Sequence, residues 1–81
     1  VETGEEIRRG EQAQRILDDP LYKESVSLIR ENLLNELTQT QVRDNEGREF
    51  LYLLIRSLDT IQIHLQSVLE TGQMATMKEG E

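Results

Sequence analysis

Apolar residues recur along this chain at the spacing of a helix. From Leu51 onward they fall at Leu51, Leu54, Leu58, Ile61, Leu65 and Val68, in alternating steps of three and four. That is the heptad seam of a helix that lies against another helix. It predicts a helix from about Asn45 to Thr71, capped by Asp44 or Asn45. Gly72 then stands where a left-handed residue would stop it. Phe50 and Leu69 widen the seam, whereas Tyr52, Leu53, Ile55 and Ile63 fall outside it.

A second helical face precedes it, made of Tyr22, Val26, Ile29, Leu33 and Leu37. Leu21 and Leu28 lie well off that face, and Leu34 lies off it on the other side. A helix that is apolar on more than one side touches more than one partner. Its start is marked by Asp18-Asp19-Pro20. Pro20 suits the first helical position, and it disfavours helical geometry at Asp19, whose carboxylate is then free to cap the next turn. The helix should run from Pro20 to about Thr38. The polar stretch TQTQVRDN separates the two seams and is short enough for a turn between neighbouring helices.

The first segment, about residues 5–18, has a thinner edge of Ile7, Gly10, Ala13, Ile16 and Leu17. Glu5 with Arg9 and Glu11 with Arg15 have the spacing of helical ion pairs. Gly10 weakens such a helix by about 1 kcal/mol relative to Ala, so this segment needs a neighbour to dock on. The fold predicted is all-α: an antiparallel helical hairpin (about 20–38 and 45–71) with a docked N-terminal helix (about 5–18), in one domain spanning 1–81. The second seam is longer than the first by about 12 Å at 1.5 Å per residue. Ile16, Leu17 and Ala13 should cover the overhang at Leu65, Val68 and Leu69. Residues 73–81 have no apolar face large enough to pack and read as a mobile tail, with Met74 and Met77 available to anchor on a partner.

Size changes the picture most. With 81 residues and no Cys, the chain is a marginal domain without disulfides or thiolate metal sites. Leu21, Leu28, Leu34, Leu53, Ile55 and Ile63 cannot all enter a two- or three-helix core. A contiguous apolar patch of that kind marks an interface. Self-association or docking on a larger complex is therefore expected, with these six as interface residues. The core seam would comprise Tyr22, Val26, Ile29, Leu33 and Leu37 on one helix, and Leu51, Leu54, Leu58, Ile61, Leu65 and Val68 on the other.

Charge excludes more than it suggests. Sixteen acids against nine bases give a net charge of −7, the wrong sign for gripping nucleic acid phosphates or an anionic membrane. The acid excess admits an alternative role, that of an acidic DNA mimic inhibiting a host nucleic-acid-binding protein. The bases, however, are interspersed with the acids rather than segregated from them. No run of 18 apolar residues and no signal-peptide pattern is visible, so neither a transmembrane span nor a leader is expected.

Candidate chemistry is sparse. His64 is the only His; Asp59, five residues earlier, is poorly placed to orient it, and Ile61 occupies the position where a di-iron Glu-x-x-His motif needs Glu. DNEG at 44–47 resembles the start of a calcium loop, but the later ligands are missing. The paired acids Glu5–Glu6 and Asp18–Asp19 suit helix starts and caps. Gly4, Gly10, Gly47, Gly72 and Gly80 are too dispersed to cradle a phosphate, and Ser25, Ser27, Ser57 and Ser67 lack a nucleophile's setting. Arg43, Arg48 and Arg56 form the densest basic region, best read as ion pairs with Asp44, Asp59 or a neighbour's acids. No catalytic, cofactor-binding or metal residue is assigned, and no cofactor or small-molecule substrate is expected.

Two stretches carry a resemblance. AQRILDDPLYKES, followed by NEGREFLYLLIRSLDTIQIHLQSVLETGQM, resembles a group of small phage and prophage proteins from packaging and head-assembly gene neighbourhoods. The matching positions include Asp19, Pro20, Leu21, Gly47, Arg48, Glu49, Leu58 and Gly72, and the likeness spans roughly Arg8 to Met74. It implies a structural or packaging-associated role in a virion or in the host cytoplasm, within a homo-oligomer or larger phage assembly. It implies no activity and no site residue.

Overall fold

Asp19 and Pro20 divide the first half of the chain in two. In the computed structural model, which describes residues 2–80, α1 spans Glu2–Asp18, α2 spans Pro20–Gln39 and α3 spans Asn45–Glu79. Asp19 is extended, and its side chain accepts from the Tyr22 backbone N–H at 2.9 Å. Pro20 has no N–H to leave unsatisfied at the first helical position. One residue therefore ends α1 and starts α2. Asp44 does the same for α3, accepting from the Gly47 N–H at 2.9 Å. A Cβ at Gly47 would run into that carboxylate. Arg48 ties down the turn from its other side, donating to the Val42 carbonyl and the Asn45 side chain.

The described residues are helical apart from Asp19, the 40–44 link and Gly80. Contacts order the helices. Gly10 of α1 lies against Gly72 of α3, Arg30 of α2 reaches Asp59 and Gln62 of α3, and the five residues 40–44 join α2 to α3. α1 and α2 thus follow one another along α3 and touch each other little. Laid end to end they are about 56 Å long, close to the about 52 Å of α3 and to the 58 Å longest dimension of the molecule. The result is a rod of 58 × 23 × 15 Å whose Cα radius of gyration is 17.4 Å, against about 12 Å for a compact chain of this length.

Two expectations about the end of the chain are corrected. α3 does not stop at Thr71 but continues to Glu79, and Gly72 is not a left-handed cap, since no described residue has a positive φ. Gly72 is buried inside the helix because its missing side chain lets α1 come close. A Cβ there would stand 2.8 Å from the Gly10 Cα and 2.9 Å from the Glu6 carbonyl oxygen. Three residues on, Ala75 is also buried, as is Ala13 on α1. What reads as a mobile tail is therefore the last two turns of α3, held by small residues rather than by a broad apolar face. Glu81 lies outside the described residues.

The seam is corrected as well. Leu51 is buried at 8% exposure, and Tyr22, Val26, Leu33, Leu37, Leu58, Leu65 and Val68 are half-buried. Ile29, Leu54 and Ile61, expected beside them, are exposed. α2 covers one side of the α3 seam, through Leu51, Ile55, Leu58 and Gln62. α1 covers a side one step round the helix, where Gly10 meets the backbone of Val68 and Gly72. A seam written as one stripe is thus shared by two helices approaching from different directions.

Candidate interaction surface

The α2–α3 contact has two flanks. On one flank the Arg30 guanidinium pairs with the Asp59 carboxylate at 2.6 Å and donates to Gln62 Oε1 at 2.8 Å. This takes Asp59 away from Arg43, Arg48 and Arg56, the partners expected from sequence. Glu5 similarly meets Arg8 at 3.9 Å instead of Arg9. At 3.6 residues per turn, Leu34 lies on the Arg30 flank. Ile29, Ser25, Leu21 and Leu28 turn progressively to the opposite flank. On α3, Asp59 marks the first flank, while Leu54, Ile61, Ser57 and Phe50 turn to the other. Because Arg30 and Asp59 share one side, these two sets share the opposite side.

That opposite side is an open apolar face. Leu21 is 69% exposed, Leu28 51%, Phe50 62% and Ile61 55%, with Ile29 and Leu54 also exposed. Ser25 and Ser57 lie among them, and exposed Glu36 falls between Ile29 and Ser25 in helical angle, a single acid on the α2 side. Further along α3 the same flank is covered by α1, where Val68 is half-buried and Ala75 buried. The open face is the half of that flank which α1 does not reach.

The six residues predicted at an interface divide accordingly. Leu21 and Leu28 lie on the open face, and Leu53 borders it. Leu34 and Ile63 are exposed elsewhere on the rod. Ile55 is half-buried beneath α2 and belongs to the α2–α3 contact instead. Sequence reasoning missed Ile29, Leu54 and Ile61, which have perfect seam spacing. The missing signal is three-dimensional: periodicity gives a stripe, not which part of it a neighbour covers. Among the described residues fourteen large apolar side chains are more than a third exposed, and none is fully buried.

The sites weighed for chemistry remain separate. His64 is exposed on α3, and no group of three or more His, Asp or Glu among the described residues is placed to hold a metal ion. A groove beside the Gly10–Gly72 contact is lined by Ile7, Gln14, Leu69 and Thr76; the Thr76 hydroxyl donates to the Gly72 carbonyl at 3.0 Å. The Tyr22 hydroxyl is enclosed with no hydrogen-bond partner. No helix among the described residues is long and apolar enough to cross a membrane. No protein-family model, curated protein or solved structure matches the chain.

Proposed function

We propose that this chain is a non-enzymatic assembly protein, an antiparallel α2–α3 hairpin braced by α1, which works by placing its open face against another polypeptide. The observation that carries this reading is the group of exposed apolar side chains from Leu21, Leu28 and Ile29 across to Phe50, Leu54 and Ile61. A small chain that leaves so much apolar surface in water gains stability when a neighbour covers it. The hairpin is supported by the order of contacts, Gly10 with Gly72 and Arg30 with Asp59, on either side of the short 40–44 link. The resemblance of the DDPL and EGRE segments to small phage proteins supports a setting in a phage particle or its assembly line.

A photoreactive residue placed at Leu28 or Phe50 tests the reading. It should couple to a protein neighbour when the chain is expressed in its natural setting, and the same probe at Leu34 should not. No protein adduct from either open-face position overturns the proposal. Competition with DNA for a basic host protein, unaffected by open-face substitutions, would favour the mimic instead.

A further inference from the structure

We infer that the open face holds a basic amphipathic helix of another protein, laid in line with α1 and bringing a Lys or Arg to Glu36; this rests on the assembly reading above. Two observations select that occupant.

The first is what already sits on the same flank of α3. Phe50 precedes Val68, and Leu54 precedes Gly72, by about five full turns. Both members of each pair therefore lie on the same side of α3. α1 fills that side at Val68 and Gly72, where Gly10 meets their backbone. At Phe50 and Leu54 the same side is open, and both residues are exposed. The flank is thus one that takes a helix, and only the stretch near Gly72 has one. The open stretch is about 17 Å long from Phe50 to Ile61 and about 22 Å long from Leu21 to Glu36. A helix of about 12 to 15 residues spans it, with its apolar stripe between α2 and α3 in the manner of a helix bound in a groove.

The second is charge. Glu36 is exposed within the α2 side of this face, and among the described residues no base pairs with it. None is within reach along α2, since the residues three and four away are Asn32, Leu33, Gln39 and Thr40. The bases on the hairpin helices up to Ile61 are Lys23, Arg30, Arg48 and Arg56, and all turn to the Arg30 flank. Glu46, one turn before Phe50, adds an acid at the edge of the open face. That face therefore has acids and no base. An apolar or acidic cover would take Glu36 out of water without a partner. A Lys or Arg on the incoming helix removes that cost and adds a charge-assisted hydrogen bond.

The experiment is a selection. A display library of helical peptides of about 15 residues fixes a Leu stripe at helical spacing and offers Lys or Glu at each position beside it. Selected on the full chain, it should return Lys over Glu by at least about fivefold at the flanking positions. Glu36→Lys should reverse that preference at one position, from Lys to Glu. Glu31→Lys, on the outer side of α2, should leave every position unchanged, and so controls for the overall charge of −7. Ile61→Glu should abolish recovery of the peptides and Ile63→Glu should not; circular dichroism reports whether each variant stays helical. Glu36→Lys places a base near the C-terminal end of α2, where bases are favoured, so that arm does not depend on the folding of Ile61→Glu. Recovery of no peptide, equal shares of Lys and Glu, or the same reversal with Glu31→Lys overturns the proposal. So does a two-chain mass in sedimentation equilibrium that Ile61→Glu alone returns to one chain, which gives the face to a second copy. If the Leu28 photoprobe meanwhile couples to a protein through a segment without Lys or Arg, the assembly reading stands and only the basic helix falls.

Discussion

Two glycines hold the α1 end of the rod together. Helix interiors disfavour Gly by about 1 kcal/mol relative to Ala, yet Gly10 and Gly72 both sit inside helices and face each other. The explanation is steric: an added Cβ would meet backbone, which cannot rotate away. Gly72→Ala should therefore destabilise the chain by about 1–3 kcal/mol from overpacking, against its propensity gain, as a lowered midpoint of thermal unfolding. Gly4→Ala is the matched control. Nothing lies within 4 Å of its would-be Cβ, so it should gain about 0.5–1 kcal/mol. A stabilised Gly72→Ala would mean that the two backbones are not in contact. Asp19 makes a different residue-scale contribution, since its carboxylate is the cap of α2. Asp19→Ala should cost about 1 kcal/mol, seen as a lower denaturation midpoint, and Asp19→Asn should recover most of it.

Helix boundaries show what was legible in the chain and what was not. The α1–α2 break and the start of α3 follow from capping chemistry at Asp19, Pro20 and Asp44, and local sequence contains that chemistry in full. The end of α3 does not follow, because Gly72 carries two opposite meanings. Read locally it terminates a helix; beside a second glycine on another helix it is a contact point. Nothing near Gly72 in sequence reveals Gly10. The apolar seam is legible as a pattern, yet its division between α2 and α1 depends on how the chain turns at Asp19, and so spacing alone puts Ile29, Leu54 and Ile61 inside although they lie outside. An element-scale consequence is testable. Removing residues 73–81 takes away buried Ala75 and the last turns of α3, beside which the start of α1 lies. The loss of helical signal at 222 nm should exceed the share of the deleted turns, because a helix as short as α1 is marginal in water without a neighbour. A loss limited to the deleted turns would show α1 to be self-supporting.

At the scale of the whole molecule, the rod has surface out of proportion to its interior. Among the described residues fourteen large apolar side chains lie outside, and the buried positions are Gly10, Ala13, Leu51, Gly72 and Ala75. Such a chain should draw much of its stability from association, so its unfolding midpoint should depend on the concentration of the helix that covers its open face. Each tenfold dilution of that helix through the dissociation range should lower it by several degrees, measured by differential scanning fluorimetry or calorimetry. A midpoint independent of that concentration would assign the stability to the single chain. The Arg30–Asp59 pair contributes to this balance only modestly, since its side chains are 32% and 41% exposed and such pairs are worth at most about 1 kcal/mol.

The meeting of Gly10 and Gly72 also constrains how this chain can vary. Most packed pairs drift by exchange, one side chain growing as its opposite shrinks. Neither glycine has anything to give up, so a larger residue at one site has no compensating change at the other. Where the rest of the rod can be rewritten face by face, this crossing must be kept as it is or abandoned with the whole first helix.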